Sequence, residues 1–259
     1  MNYSTTQILL IKPTRCEMES LILQFLAVES WSSQHNLCEL LQINKRNLLS
    51  VLKPMLNKRT LKAILQGVMG GEVQLYGITR LGYKSLSNEY GVFCEDLDLN
   101  PNLLTPRISP TFIPHRLDIQ MLRIRAERAG WSNWINADTG QLININKQNK
   151  PQLGQANLVS DHRPDAWCTN TLGERFCIEC ERTMKSKSRY TDILCNYLLA
   201  LKRGDFDGVI WVCPDLDLRN KLANLITSIT HVRIGLLSVL VPRNRFERLI
   251  FMTFDEWVR

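Results

Sequence analysis

Two glutamates set two positions apart in an alternating run, residues 175–182 (Arg-Phe-Cys-Ile-Glu-Cys-Glu-Arg), constrain this chain more than any other feature. Successive side chains on a strand point to opposite faces. As a strand, the run puts Phe176, Ile178 and Cys180 on one face and Cys177, Glu179 and Glu181 on the other. Residues 169–173 (Thr-Asn-Thr-Leu-Gly) carry turn chemistry. Residues 162–168 supply a preceding strand, and the resulting hairpin brings Asp165 beside the two glutamates.

Three carboxylates in a partly buried place repel one another unless a cation neutralises them. An all-oxygen donor set suits a hard cation, magnesium or manganese. Arg182, Lys185, Lys187 and Arg189 follow directly. Acids with adjacent cations are what cleavage of a phosphodiester needs. Metal activates the attacking group, and metal and lysine stabilise charge in the transition state. The plain alternative is a surface hairpin with solvated charges, a common use of Glu-x-Glu. Pro-Asp on the neighbouring strand and a Lys beyond the second strand make the constellation more specific than that.

The amino-terminal third follows a helical period instead. Met18, Leu21, Ile22, Phe25 and Leu26 predict a first helix. Residues 37–41 predict a short second helix with Asn36 as its cap, and residues 42–44 a turn. Asn44 caps a third helix, 45–56, striped by Leu48, Leu49, Leu52 and Leu56. This is the helix-turn-helix order, in which the last helix enters the major groove with its start near the bases. Lys45, Arg46 and Asn47 occupy that start, and Lys53 lies further along. Gly70-Gly71 between two alternating runs, 60–69 and 72–79, predicts a hairpin wing, and another helix opens at 79–84. Residues 1–90 are therefore expected to form a winged helix for DNA, with protein contacts as the alternative use. In the leader 1–16, Lys12 and Arg15 are placed either to touch phosphate or to fray.

Residues 91–111, rich in Asp, Asn and Pro without periodicity, predict a linker. A second domain, 112–259, opens with a helix from Pro114 to a cap at Gly130. A strand at 131–137 and a polar loop at 138–155, expected to order on DNA, precede the hairpin. An amphipathic helix at 188–203 bears Tyr190, Leu194, Tyr197, Leu198 and Leu201 on one face and ends at Gly204. A buried strand at 209–213, a helix at 218–229 and strands at 235–241 and 249–254 complete the chain. The order implies a mixed sheet flanked by helices and an α/β (α+β) class overall.

Composition narrows the partners. A net charge of +7 favours an anionic partner such as nucleic acid. Of eight cysteines, Cys177 and Cys180 form a Cys-x-x-Cys with no second pair. Within a strand they face opposite sides, so reduced, mostly buried thiols are expected. No apolar run approaches the ~20 residues of a spanning helix. No secretory signal is evident at residues 1–8, and a cytoplasmic location without membrane insertion is expected.

His-Arg-Pro-Asp-Ala at 162–166, Ile-Glu-Cys-Glu-Arg-Thr at 178–183 and a following helix bearing Tyr197 resemble the replication–relaxation family. Within it the likeness is closest to MobC-type relaxases of mobilisable plasmids, and it spans most of the chain. The resemblance implies a restriction-endonuclease-like core behind the winged helix, and a nick in one strand of DNA at a plasmid transfer origin. It also implies an accessory mobilisation protein and a coupling protein as partners. In such proteins a His opening the first helix of the core faces the acids, which gives His115 a role as metal ligand or base. A lone His is otherwise more often structural. The better-known endonuclease pattern has a Lys two residues after the Glu; this chain has Glu181 there, so a cation must reach back from the following turn or helix.

The first reading is a metal-dependent nickase. Asp165 and Glu179 hold magnesium or manganese, Glu181 completes the shell or positions water, and Lys185 neutralises the scissile phosphate, with Arg182 as its rival. Arg182 and Lys187 join Lys45, Arg46, Asn47 and Lys53 in holding DNA. Tyr190 is placed to serve as a nucleophile, with Tyr197 about two helical turns further on; core or rim packing is their commoner use. The three-His cradle of the commoner relaxases is absent, since His35, His115, His162 and His231 are scattered. The second reading is a non-catalytic winged-helix protein regulating plasmid replication or partition. The third is a protein-interaction scaffold.

Overall fold

The computed structural model describes residues 13–68, 71–90, 109–136 and 163–258. Packing divides the chain into two units, Met1–Ile124 and Arg125–Arg259. Most of the predicted linker, the loop 138–155 and His162 lie outside the described residues.

The first unit begins with α1 (Arg15–Glu29). Thr14 and Glu17 form a reciprocal capping box at its start, which satisfies amide donors that a helix leaves open. Arg15 is the first residue of α1 and pairs with Glu19 at 3.1 Å. A short strand β1 (Trp31–Ser33) leads into α2 (Gln34–Leu41) and α3 (Lys45–Asn57). The cap of α2 is Ser33, whose hydroxyl accepts from the Asn36 N–H at 3.2 Å. Asn36, expected to be that cap, is inside the helix and buried, and its amide donates to the Leu117 carbonyl at 2.8 Å. Asn44 caps α3 as the sequence predicts, accepting from the Asn47 N–H at 2.9 Å. Strands β2 (Leu61–Val68) and β3 (Gly71–Ile78) pair antiparallel in register from Leu61↔Ile78 to Val68↔Gly71, and α4 (Arg80–Tyr90) follows. The sheet order is β1-β3-β2. Leu48, Val51, Leu52 and Met55 of α3 pack with Ile22, Leu23 and Leu26 of α1 in one core.

The boundary between the units falls inside α5 (Ile113–Arg128), whereas the sequence places the second domain's start at 112. The reason is local packing. Ile113 lies against Trp31 and Leu75, and Ile124 joins the core of α1 and α3. Gln120, fully buried, accepts from the Ser32 hydroxyl and donates to the Trp31 carbonyl.

The second unit holds a sheet of β4 (Ser132–Asn136), β5 (Ala166–Thr169), β6 (Arg175–Cys180), β7 (Gly208–Cys213) and β10 (Leu249–Thr253), in the order β10-β7-β6-β5-β4. The β4–β5 and β5–β6 pairs are antiparallel; β6–β7 and β7–β10 are parallel. Parallel pairs need a crossover, and α6 (Lys187–Arg203) joins β6 to β7. Ser186 caps α6 and Gly204, at φ +77°, ends it in the left-handed region that glycine tolerates. One sheet face, with Trp167, Cys177, Val209 and Trp211, packs against Tyr190, Leu194, Tyr197 and Leu201 of α6. Helix α7 (Leu216–Thr227) begins at an Asp215 cap, two residues before the predicted start, and adds Leu222 and Ile226 to the same core. Gly208 is required by a close approach: a Cβ there would lie 2.7 Å from the Phe176 ring. The predicted strand 235–241 is not in this sheet. Gly235 (φ +61°) makes a turn, and the segment forms a separate antiparallel hairpin of β8 (His231–Ile234) and β9 (Leu237–Leu240). The mixed α/β class expected from the sequence is what the chain adopts.

Candidate active site

β6 delivers its two glutamates to the sheet face that α6 covers. Alternation puts Glu179 two residues beyond Cys177, which is in the core beneath α6, and Glu181 follows the strand's end. Both glutamates are 4% exposed. Asp165 sits just before β5 and is half-buried. Its N–H donates to the Ile178 carbonyl at 3.0 Å, and its carboxylate accepts from the Cys180 N–H at 2.7 Å. Both contacts are to neighbours of Glu179, so Asp165 brackets that residue. The hairpin thus fixes Asp165 to the backbone on either side of Glu179, at one end of β5 and β6.

Helix α6 supports them from above. Tyr190 and Tyr197 lie seven residues apart, about two turns, and therefore on one face; both are fully buried. The Tyr197 hydroxyl donates to Glu179. The Tyr190 hydroxyl accepts from the Lys185 N–H at 3.1 Å and also engages Glu181. Lys185 Nζ contacts Glu181 Oε2 at 2.5 Å and lies 5.8 Å from the centroid of the Tyr190 ring. The cation comes from the turn before α6. Trp211, paired in register with Glu179, meets the Tyr197 ring edge-on at 5.6 Å and stacks on Phe251.

Electrostatics keep the phenols protonated. Burial, and then the charge of Glu179, hold the Tyr197 pKa well above its ordinary value. Burial also raises that of Tyr190, against the Lys185 N–H, which lowers it, and with the Glu181 charge, which raises it further. A buried phenol engaged with a carboxylate is arranged as a support that orients the acid. That geometry does not present Tyr190 for attack on a phosphate.

The remaining predicted residues are placed as follows. Arg182, Lys187 and Arg189 are exposed beside the acids' end of α6. His115 is half-buried on α5 and belongs to the first unit, whereas the acids belong to the second. On α3, Lys45, Arg46, Asn47 and Lys53 are exposed while Leu48, Val51, Leu52 and Met55 face inward. The predicted stripe differs at Leu49, which is 43% exposed among those polar residues. Cys177 and Cys180 are buried and free, and burial raises the Cys177 thiol far above its usual range.

The donor chemistry of Asp165, Glu179 and Glu181 fits a hard divalent cation, because these three offer only carboxylate oxygens; His115, the other candidate ligand, belongs to the first unit. Among the described residues, however, no three of His, Cys, Asp and Glu are drawn into a ready-made cage. Each acid instead has a donor from the chain: the Cys180 N–H for Asp165, Tyr197 for Glu179 and Lys185 for Glu181. Sequence reasoning named the acids and Lys185. It missed that Tyr197 holds Glu179, and nothing in the linear order signals that Trp211 would flank it.

No protein-family model matches this chain, and no curated protein or solved structure matches it either.

Proposed function

We propose that the chain is a metal-dependent DNA nickase, a plasmid mobilisation relaxase that cuts one strand at a transfer origin. The observation that carries the reading is the buried pair Glu179 and Glu181, with Asp165 held to the backbone on either side of Glu179. Burying carboxylates costs several kcal/mol per charge, of order, before partners are counted. Apolar residues of similar volume would pack this face at lower cost, so the acids are better explained by chemistry than by stability. Asp165 and Glu179 would hold magnesium or manganese, with Glu181 completing the set while Lys185 neutralises it. The cation's contribution is to activate the attacking group and stabilise charge on the phosphate. The chain's own residues do the rest. Tyr197 and Tyr190 orient the acids, and Arg182 and Lys187 lie exposed where they can hold the DNA backbone.

The first unit supports a division of labour. Helix, short helix, turn and basic helix followed by a hairpin are the parts of a winged helix. Its α3 presents Lys45, Arg46, Asn47 and Lys53 outward, as a groove-reading helix would. The mixed sheet with α6 between two parallel strands is in keeping with an endonuclease-like core. An accessory mobilisation protein and a coupling protein belong to the same proposal. No described helix is long and apolar enough to cross a membrane.

One observation favours a second reading. Each acid already has a donor from the chain, so the cluster could be structural and the protein a winged-helix regulator of plasmid replication or partition. Supercoiled plasmid carrying its own transfer origin separates the two. The nickase converts it to open circles with magnesium or manganese and not with chelator, and Glu179→Gln removes the conversion. Tight binding with no open circles under either metal, with accessory protein added, would establish the regulator.

A further inference from the structure

We propose that the β8–β9 hairpin is a DNA-unstacking arm, with Leu236 as a wedge driven between base pairs and the flanking arginines on phosphate. The inference rests on the reading of the chain as a DNA-processing protein and gives its second unit a contact of its own. The hairpin is anchored at its base: Val232 is buried in the α6 core, the Cys195 thiol of α6 donates to the Arg233 carbonyl at 3.1 Å, and the Val241 N–H donates to the Thr230 carbonyl. The register puts Val232, Val239, Ile234 and Leu237 on one face. That face starts in the core and runs outward with no described residue covering it, so Leu237 is 70% exposed and Leu236, at the turn, is fully exposed. Exposed apolar clusters of this kind mark contact sites.

Charge selects the occupant. Residues 231–248 hold Arg233, Arg243, Arg245 and Arg248 against one acid, Glu247. Among the described residues none of the four arginines forms an ion pair. An apolar tip with a basic base complements a polyanion that has a stacked apolar interior, which is duplex DNA. Helix α6 carries both the arm, through Cys195, and the tyrosines that engage Glu179 and Glu181. Unstacking by the arm would thus act in the same unit as the acids.

The test uses the full chain, chelator to prevent cutting, and short duplexes with 2-aminopurine placed in turn at TA and CA steps, which unstack most readily. Binding is expected to raise 2-aminopurine fluorescence at such a step. Leu236→Ser, at a solvent-exposed tip, is expected to abolish the rise. Arg233→Gln with Arg243→Gln is expected to reduce the salt slope of binding by about 2. A rise that persists in Leu236→Ser, or bound DNA with no rise in the wild type, overturns the proposal. So does sedimentation showing that Leu236→Ser turns a dimer into a monomer, or loss of binding to phosphatidylserine vesicles in that variant without any DNA unstacking. Unstacking without nicking in a metal assay would sink the nickase and keep the arm; nicking with no unstacking would do the reverse.

Discussion

Helix α3 and the β6–α6 site handle charge in opposite ways. On α3 the cations Lys45, Arg46 and Lys53 stand in solvent over an apolar inner face. They keep much of their hydration on folding, and their pull on an anion weakens with salt. At the second site Glu179 and Glu181 are inside, and the fold supplies each with a fixed partner, Tyr197 or Lys185. The contrast teaches that exposed cations can be added to a fold by composition, whereas buried acids must be built into its geometry. Changes on α3 should therefore alter binding alone, and changes around β6 should alter chemistry and stability together.

The largest expected effect breaks the comparison at its chemical end. Asp165→Asn or Glu179→Gln keeps shape and should lower metal-dependent nicking by about 1000-fold or more, as loss of a charge-stabilising group does, with DNA affinity unchanged in a filter-binding assay. Next comes Lys185→Met. It leaves Glu181 buried without its cation and should destabilise the protein by about 3 kcal/mol, read by urea unfolding. The same change at exposed Lys53 should stay within about 0.5 kcal/mol, and equal losses at the two lysines would erase the distinction drawn above.

Tyr197→Phe removes a hydrogen bond to a buried carboxylate and should cost about 2 kcal/mol. It also carries a pH signature. The folded pKa values of Tyr197 and Tyr190 are raised, so the folded state holds these protons more tightly than the unfolded chain does. Their contribution is complete below the unfolded tyrosine value near pH 10 and is lost as pH rises beyond it, by about 1.4 kcal/mol per pH unit for each phenol. Urea midpoints measured from pH 8 to 11 should fall first above about pH 8.5, where the buried thiols, Cys177 among them, lose the same kind of contribution, and more steeply above about pH 10, where Tyr197→Phe falls less than the wild type. The smallest effect belongs to single cations on α3: Lys53→Gln should reduce the salt slope of DNA binding by about 1.

What the sequence disclosed follows the same divide. Periods and caps were legible where they are local: Asn44 at α3, Gly204 after α6, and alternation along β6. Asn36 has cap chemistry, but Ser33, three residues earlier, offers its hydroxyl first and Asn36 is drawn to Leu117, far along the chain. The 235–241 segment has strand chemistry, but Gly235 folds it onto its neighbour rather than onto the sheet. Within the site, the three acids and Lys185 could be read from spacing. The Tyr197–Glu179 contact and the place of Trp211 depend on how α6 and β7 cross the sheet, which no local pattern encodes.

The most direct measurement is the rate of nicking of supercoiled plasmid, with manganese, as a function of protein concentration for three proteins. They are the wild type, Glu179→Gln, and a variant with Lys45→Gln, Arg46→Gln and Lys53→Gln. The account predicts that the α3 variant needs more protein yet reaches the wild-type plateau, while Glu179→Gln binds normally and stays near zero. A plateau lost in the α3 variant, or wild-type nicking by Glu179→Gln, would contradict it.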